Sequence, residues 1–346
     1  MKKWVICCIL LAVLAVPARA DEFTAPQPPE EALELMPHEQ ATFSEGLWHV
    51  LSAGLAAVYP NIAQCLRVCV RVLAIALLLS IVTGFSGKSA AAANLAAAVA
   101  VACILLEPAN ALIREGAATV TELSQYGKLL LPVMTGALAA QGGTGTATAL
   151  YAGTAVFNTV LGSLIASLLV PLIYIFLALS VVGAAAQADM LMKLRKMMIG
   201  TAGKGLRVIL YVFTGYLTVT GVVGGAADQM TVKAAKLTIS GMVPVVGSIM
   251  ADASETILVS AGMVKGAAGI YGLLSAIAIG IGPFLNIGVQ YLALKATAGL
   301  CALLDSKPVR SIVEDFAAAM GLLLAMTGTM CLLILISTVC FMKGMG

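Results

Sequence analysis

The chain has 346 residues, of which 60% are hydrophobic and 11% charged, and its formal net charge is +3. Soluble domains contain about 45–50% apolar and about 25% charged residues, so this composition excludes a water-soluble globular protein. We therefore predict an all-α polytopic membrane protein with about 6–10 membrane-crossing helices. Residues 21–45 contain seven acidic residues and no Lys or Arg, which argues against nucleic acid as a partner of that segment.

The N-terminus has the pattern of a secretory signal peptide. Lys2 and Lys3 precede an apolar stretch, and small residues flank Arg19 just before Asp21. Cleavage after Ala20 would remove residues 1–20 and place the mature N-terminus on the extracytoplasmic side of the membrane.

The next segment, residues 21–66, is predicted to be an acidic extracytoplasmic arm. Residues 21–42 contain several prolines and too little apolar content to fold alone, which is typical of a flexible segment. Apolar residues recur at helical spacing from Phe43 to Val58 and predict an amphipathic helix in the membrane interface. Pro60 is expected to end that helix.

Residues 67–128 are predicted to contain the first two transmembrane helices. Apolar stretches place these spans at about residues 68–86 and 90–106, and Glu107-Pro108 is expected to stop the second. Residues 109–128 are mixed in charge, which predicts a surface helix.

Two long apolar stretches, residues 129–187 and 241–299, resemble each other. In each of them two prolines are 39 residues apart, and the second pair follows the first by 112 positions. At the same offset Leu161, Ser163, Ile165, Ala166 and Ile175 recur as Leu273, Ser275, Ile277, Ala278 and Ile287. The pattern predicts two parallel repeats, residues 129–240 and 241–346, whose broken helices are either re-entrant or fully spanning.

The residues that break these helices are the candidate functional site. Backbone that is freed from helical hydrogen bonds cannot face lipid, so it must be buried in protein or line a wet cavity. Asp252 and Glu255 lie at the corresponding break of the second repeat, where they are either intramembrane carboxylates or solvated loop residues. The predicted conduit residues are Pro132, Gly142, Gly143, Gly145, Pro171, Pro244, Gly247, Asp252, Glu255 and Pro283.

The charge distribution predicts the orientation. Residues 188–207 contain five basic residues and one acid, Asp189, and are predicted to be a cytoplasmic loop. A span at about residues 208–226 follows, and residues 295–317 are predicted to be a second cytoplasmic loop before a last span near 318–342.

Motifs for chemistry are absent from the sequence. The segment GFSGKS at residues 84–89 lacks the first glycine of a phosphate-binding loop, because position 82 is Val82. Both histidines, His38 and His49, precede the first predicted span, so no Ser/His pair is available at membrane depth. We predict that the protein is not an enzyme and needs no cofactor or metal.

Three stretches resemble the stage III sporulation protein AE family of endospore-forming bacteria. They are TVKAAKLTISGMVPVVGSIMADA at residues 231–253, LLPVMTGALAAQGGTGTATAL at 130–150 and DSKPVRSIVEDFAAAMGLLLA at 305–325. The segment GTATALYAGTA in the first repeat departs from the histidine- and proline-containing version of relatives, so no residue there is assigned a role.

The resemblance implies a non-enzymatic membrane subunit of the channel complex that joins mother cell and forespore, in the mother-cell-derived membrane around the forespore. It implies partners among the membrane proteins of that complex, a cytoplasmic secretion-type ATPase and a forespore membrane protein across the intermembrane space. Two alternatives from the residues stay open: a stand-alone secondary transporter with its substrate at the repeat interface, and a structural scaffold.

Overall fold

A computed structural model of the protein describes residues 25–37, 43–85, 90–140, 144–186, 189–219 and 267–344. Within these ranges the chain forms eight α-helices and one π-helical turn, and no residue lies in a β-strand. The helices are α1 (Glu30–Leu33), α2 (Phe43–Phe85), α3 (Ala90–Ala140), α4 (Thr144–Leu164), α5 (Val170–Ala186), α6 (Asp189–Val219), α7 (Ala267–Leu303) and α8 (Lys307–Gly344). The π-helical turn, Ile165–Leu169, joins α4 to α5. The predicted all-α class is confirmed for these residues, while the signal peptide lies outside them.

Five stretches of the described chain are long and apolar enough to cross a membrane. They are Phe43–Gly84, Ala91–Ala140, Thr144–Ala184, Gly269–Leu303 and Lys307–Gly344. The shortest has 35 residues, whereas about 20 helical residues cross the hydrocarbon core of a bilayer. Each of the five stretches is therefore long enough to extend well beyond the hydrocarbon.

Two predicted helix ends are wrong, because the helices continue through their prolines. Helix α2 contains Pro60, and α3 contains both Pro108 and Pro132. A proline inside a helix costs about 3 kcal/mol in an isolated peptide. Here each helix packs along its length against neighbours, and tertiary packing overrides the local preference for a break.

The predicted amphipathic helix in the membrane interface is not confirmed. Its residues form the N-terminal half of α2, which packs on α7, since Gly46 and Gly54 face Leu274 and Ile281.

Residues 109–128 do not form a separate surface helix, because they are the middle of the continuous helix α3. Leu112, Ile113, Val120, Leu123 and Tyr126 are all buried in the bundle. These residues form one stripe of α3, and the charged residues that suggested a surface helix lie beside it. The mixed composition therefore reflects a helix with one buried side.

Both predicted cytoplasmic loops are helical. Residues 189–207 are the first part of α6, and residues 295–317 are the end of α7, a short turn and the start of α8. Regularly spaced apolar residues such as Ala202 and Leu206 are buried on α6, which explains why a segment rich in charge folds as a helix.

Helix α8 lies at the centre of the bundle. It packs on α3, α4, α5, α6 and α7, and its fully buried side chains include Phe316, Met320, Leu323 and Met330. Helix α2 packs on α7 and α3, whereas α6 packs on α8, α5 and α4, so α2 and α6 lie at different edges of the bundle. Gly116 permits the closest packing at the centre, because an added Cβ would lie 2.7 Å from Leu323 Cδ1.

The positions paired by the predicted repeat do not share one environment. Leu161 and Leu273 are both buried, but Ile175 is 55% exposed while Ile287 is fully buried. The backbone differs as well, since Pro171 follows the π-helical turn whereas Pro283 lies inside α7. The two sequence stretches therefore occupy different places in the bundle, and the repeat is not confirmed. The division of the chain at residues 129 and 241 stays a prediction.

Candidate functional site: a carboxylate-lined cavity between α2, α3 and α7

A cavity of about 430 Å³ lies between α1, α2, α3 and α7. Its polar lining comes from each of these helices and includes three carboxylates. The polar lining residues are Glu31, Asn61, Glu115, Thr119, Glu122 and Asn286. Among the described residues no Lys, Arg or His lines the cavity, so this part of its lining carries a net negative charge.

The side chains of Glu115 and Asn286 connect α3 to α7 across the cavity. Asn286 Nδ2 donates a hydrogen bond to Glu115 Oε2 at a distance of 2.9 Å. Thr119, one turn further along α3, donates to the Glu115 carbonyl at 2.8 Å and is 2% exposed. Glu122 lies one more turn along and is partly exposed. The spacing 115, 119 and 122 therefore places three polar side chains on one face of α3.

Pro283 interrupts the backbone hydrogen bonding of α7 beside the same cavity. A proline has no N–H, so the carbonyl four residues earlier loses its helical donor. That carbonyl belongs to Ile279, and both Ile279 and Pro283 line the cavity. Carboxylate, amide and free carbonyl oxygens together favour a cation or a basic group and disfavour an anion.

A preformed metal centre is not present in the described part of the chain. No three His, Cys, Asp or Glu side chains within it lie close enough together to hold a metal ion. Among the described residues, Glu115 and Asn286 are the pair that is hydrogen-bonded across the cavity. Glu122 lies on another turn of α3, and Glu31 lies on α1. The arrangement suits a hydrated cation, or a basic side chain of another protein, better than a fully ligated metal.

The structure places the sequence-predicted residues in different parts of the molecule. Pro283 lines the cavity, whereas Pro132, Pro171 and Gly145 are exposed on the outside of the bundle. The other predicted conduit residues, Gly142, Gly143, Pro244, Gly247, Asp252 and Glu255, lie outside the described residues.

The central residues of the cavity, Glu115, Glu122 and Asn286, were missed by sequence reasoning. One signal was available, because Glu115 and Glu122 are seven residues apart and so share a helix face. A second was the position of Asn286 three residues after Pro283 in an apolar helix. Neither signal could show that the two helices meet.

A buried ion pair lies elsewhere in the bundle, between Arg195 of α6 and Asp315 of α8. Burial lowers the pKa of the Arg195 guanidinium, but a guanidinium remains charged at neutral pH in proteins. Buried charges need a partner, so this pair fixes α6 against the central helix.

Long apolar helices packed around a carboxylate-lined cavity define a polytopic helical membrane protein. The family model of the stage III sporulation protein AE matches residues 31–344, and the chain belongs to that family. The resemblance seen in the sequence is thereby confirmed.

One curated relative is the stage III sporulation protein AE of Bacillus subtilis (strain 168). It is 26% identical over 197 residues, which cover 55% of this chain and 49% of the relative. The chain thus spans about half the length of the curated relative it matches. No solved structure matches the chain.

Proposed function

We propose that this chain is a non-enzymatic membrane subunit of the sporulation complex that joins mother cell and forespore. It supports forespore development after engulfment. The observation that carries the proposal is the family match over residues 31–344. The five long apolar helices support an integral membrane location.

The proposed location is the mother-cell-derived membrane around the forespore, with the mature N-terminus outside the cytoplasm. The proposed partners are other membrane proteins of the complex, a cytoplasmic secretion-type ATPase and a forespore membrane protein across the intermembrane space. The acidic composition of residues 21–45 supports a role of this segment in contacts with proteins rather than with nucleic acid.

The cavity between α2, α3 and α7 is proposed to be part of a permease-like conduit core. Carboxylates among apolar helices are costly, and such residues usually mark the path of an ion or substrate. Glu115 and Asn286 lie near the middle of their helices, far from either end. Ile279, about two helical turns before Asn286 on α7, also lines the cavity, and the carbonyl that Pro283 leaves without a helical donor supports a wet path rather than a packed core.

The test is complementation of a deletion strain. Deleting the gene is expected to arrest sporulation after engulfment and to leave vegetative growth normal. The variant Glu115→Gln should fail to restore spore formation at normal protein levels, because it removes the charge while keeping the shape. Glu314→Gln is the matched control, since Glu314 is exposed on α8 and pairs only with Arg310 within the described chain.

A growth defect without a spore defect would contradict the proposed role in sporulation. Full complementation by the double variant Glu115→Gln/Glu122→Gln would contradict the proposed conduit. It would not contradict the proposed role as a membrane subunit of the complex.

The cavity also favours a second candidate, a stand-alone secondary transporter for a cationic solute. Purified protein in liposomes should then move solute without any partner, and Glu115→Gln should abolish that flux.

Cysteine labelling distinguishes the conduit and the transporter from a purely structural scaffold. A cysteine at Gly282, which lines the cavity, should react with aqueous reagents in the conduit and in the transporter, and should be protected in a scaffold.

A further inference from the structure

Helix α6 carries an exposed basic stripe along one face. Lys193, Lys196, Lys204 and Arg207 are all exposed, and at 100° per residue they fall within about a quarter of the helix circumference. Lys196, Lys204 and Arg207 have no ion-pair partner among the described side chains. Tyr211 continues the same face and is 45% exposed.

The stripe runs along the bundle instead of around one end of it. Arg195 faces Gly183 of α5, and Tyr216 lies on Gly153 of α4 and donates a hydrogen bond to the Ala149 carbonyl. Helix α6 is therefore antiparallel to the apolar α4–α5 segment over its whole length. From Lys193 to Arg207 the stripe covers about 21 Å at 1.5 Å per residue.

This direction does not suit lipid headgroups. A headgroup layer lies at one level of the bundle. With Lys193 at that level, the stripe of about 21 Å would carry its far end toward the centre of a hydrocarbon core about 30 Å thick. Lys204 and Arg207 would then be exposed to acyl chains, which is costly. The stripe instead needs a protein surface with carboxylates at matching depth.

This chain carries such a surface at its other edge. Glu31, Glu115 and Glu122 line the cavity beside α2 and α7, and no basic residue of the described chain lines it with them. Helix α6 packs instead on α8, α5 and α4. The acidic face and the basic stripe therefore lie at different edges of one molecule and cannot pair within it.

The two surfaces also lie at one depth. Tyr174 of α5 donates to Asn110 of α3, and Asn158 of α4 donates to the carbonyl of Ser124. These two bonds align α4 and α5 with α3, and the contacts of Arg195 with Gly183 and of Tyr216 with Gly153 align α6 with α4 and α5. Counting 1.5 Å per residue along the helices, Lys204 then lies about level with Glu115, and Arg207 lies between Glu115 and Glu122. Copies in one membrane share one orientation, so equal depth is the condition for contact between them.

We propose that the basic stripe of α6 docks onto the acidic cavity face of a second copy of this chain. The contact joins two different surfaces, so it is heterologous and continues from copy to copy, closing into a ring when the rotation permits. Lys204 and Arg207 of one copy lie against Glu31 and Glu122 of the next. The contact uses the acidic face of the cavity that is proposed as the conduit. It needs no other protein of the sporulation complex, so cross-linking tests it separately from complementation.

The experiment uses two differently tagged copies of the full chain, co-expressed and purified in native lipid. One copy carries a photoreactive benzoylphenylalanine in place of Tyr211, and mass spectrometry locates its cross-links. The expected product joins position 211 to residues 30–34 or 115–122 of the other tagged copy. Tyr151 is the matched control position, since it is 40% exposed on α4 and should give no such product.

Charge reversal then tests the complementarity. K204E/R207E in the copy with the photoreactive residue should lower the yield about tenfold, and E31K/E122K in the other copy should restore it. Cross-links to lipid, to α6 of the second copy or to another protein would overturn the proposal. So would the absence of cross-links together with a monomeric mass in native mass spectrometry, which is measured on the unmodified chain and does not depend on how any variant folds.

Discussion

Arg195 of α6 and Asp315 of α8 form an ion pair in which the Arg195 side chain is only 3% exposed. The two residues are 120 positions apart in the chain, and the pair brings the start of α6 and the start of α8 to the same end of the bundle. Since α8 is the central helix, this contact fixes the position of the most charged long helix against the core.

We expect the variant Asp315→Asn to destabilise the protein by about 3–5 kcal/mol, because it leaves the buried guanidinium without a counter-charge. The double variant Arg195→Met/Asp315→Leu should recover most of that loss, since a buried pair can be replaced by apolar residues of similar volume. Thermal unfolding in detergent micelles measures both effects.

The control for this pair is Arg310–Glu314 on α8, whose side chains are 49% and 44% exposed. Arg310→Ala should change stability by less than about 1 kcal/mol, as expected for a surface pair. Equal losses for Asp315→Asn and Arg310→Ala would contradict a structural role of the buried pair.

The same contact makes a prediction about topology. Single cysteines in place of Lys193 and Lys307 should be labelled from the same side of the membrane, because their helices begin at one end of the bundle. The excess of basic residues in residues 188–207 predicts that this side is the cytoplasm. Impermeant maleimide applied to intact cells should therefore label neither position, and labelling of one of them alone would refute the shared side.

Gly153 is expected to tolerate no side chain. A Cβ at this position would overlap the ring of Tyr216, whose hydroxyl donates to the Ala149 carbonyl at 2.7 Å. Gly153→Ala should therefore cost about 1–3 kcal/mol through overpacking between α4 and α6. Adding Tyr216→Ala should remove the overlap and give less than the sum of the two losses.

Gly145 provides the comparison on the same helix, because no atom lies within 4 Å of a Cβ added there. Gly145→Ala should change stability by less than about 1 kcal/mol, because Gly145 lies in the first turn of α4 and the full glycine penalty applies to the helix interior. A similar loss for both alanine variants in thermal unfolding would show that the contact with Tyr216 is not the cause.

The bond between Asn286 and Glu115 should also contribute to stability. Asn286→Leu removes the donor to Glu115 Oε2 and leaves the half-buried carboxylate without its partner, at a cost of about 1–3 kcal/mol. The further change Glu115→Met should then restore stability, because both polar groups are gone. Thermal unfolding of the two single variants and the double variant gives the coupling free energy between Asn286 and Glu115. If the stability loss of the double variant equals the sum of the single losses, the two side chains do not interact.

The sequence by itself determined that this protein resides in a lipid bilayer and that its secondary structure is helical. An apolar content of 60% with 11% charge leaves the bilayer as the surroundings, and only helices or closed barrels satisfy backbone groups there. The family was also readable from short strings such as AKLTISGMVPVVGS at residues 235–248. These properties are local, so a single chain displays them.

The tertiary structure alone decided where helices end and which polar residues meet. Local propensity predicted breaks at Pro60 and Pro108, but packing along the whole of α2 and α3 keeps them helical. Glu115 and Asn286 are 171 residues apart, and Arg195 is 120 residues from its partner Asp315 on α8. The spacing of apolar residues shows which face of a helix is buried, but it does not show which other helix covers that face. The cavity forms where α2, α3 and α7 pack together, so only the tertiary structure reveals it.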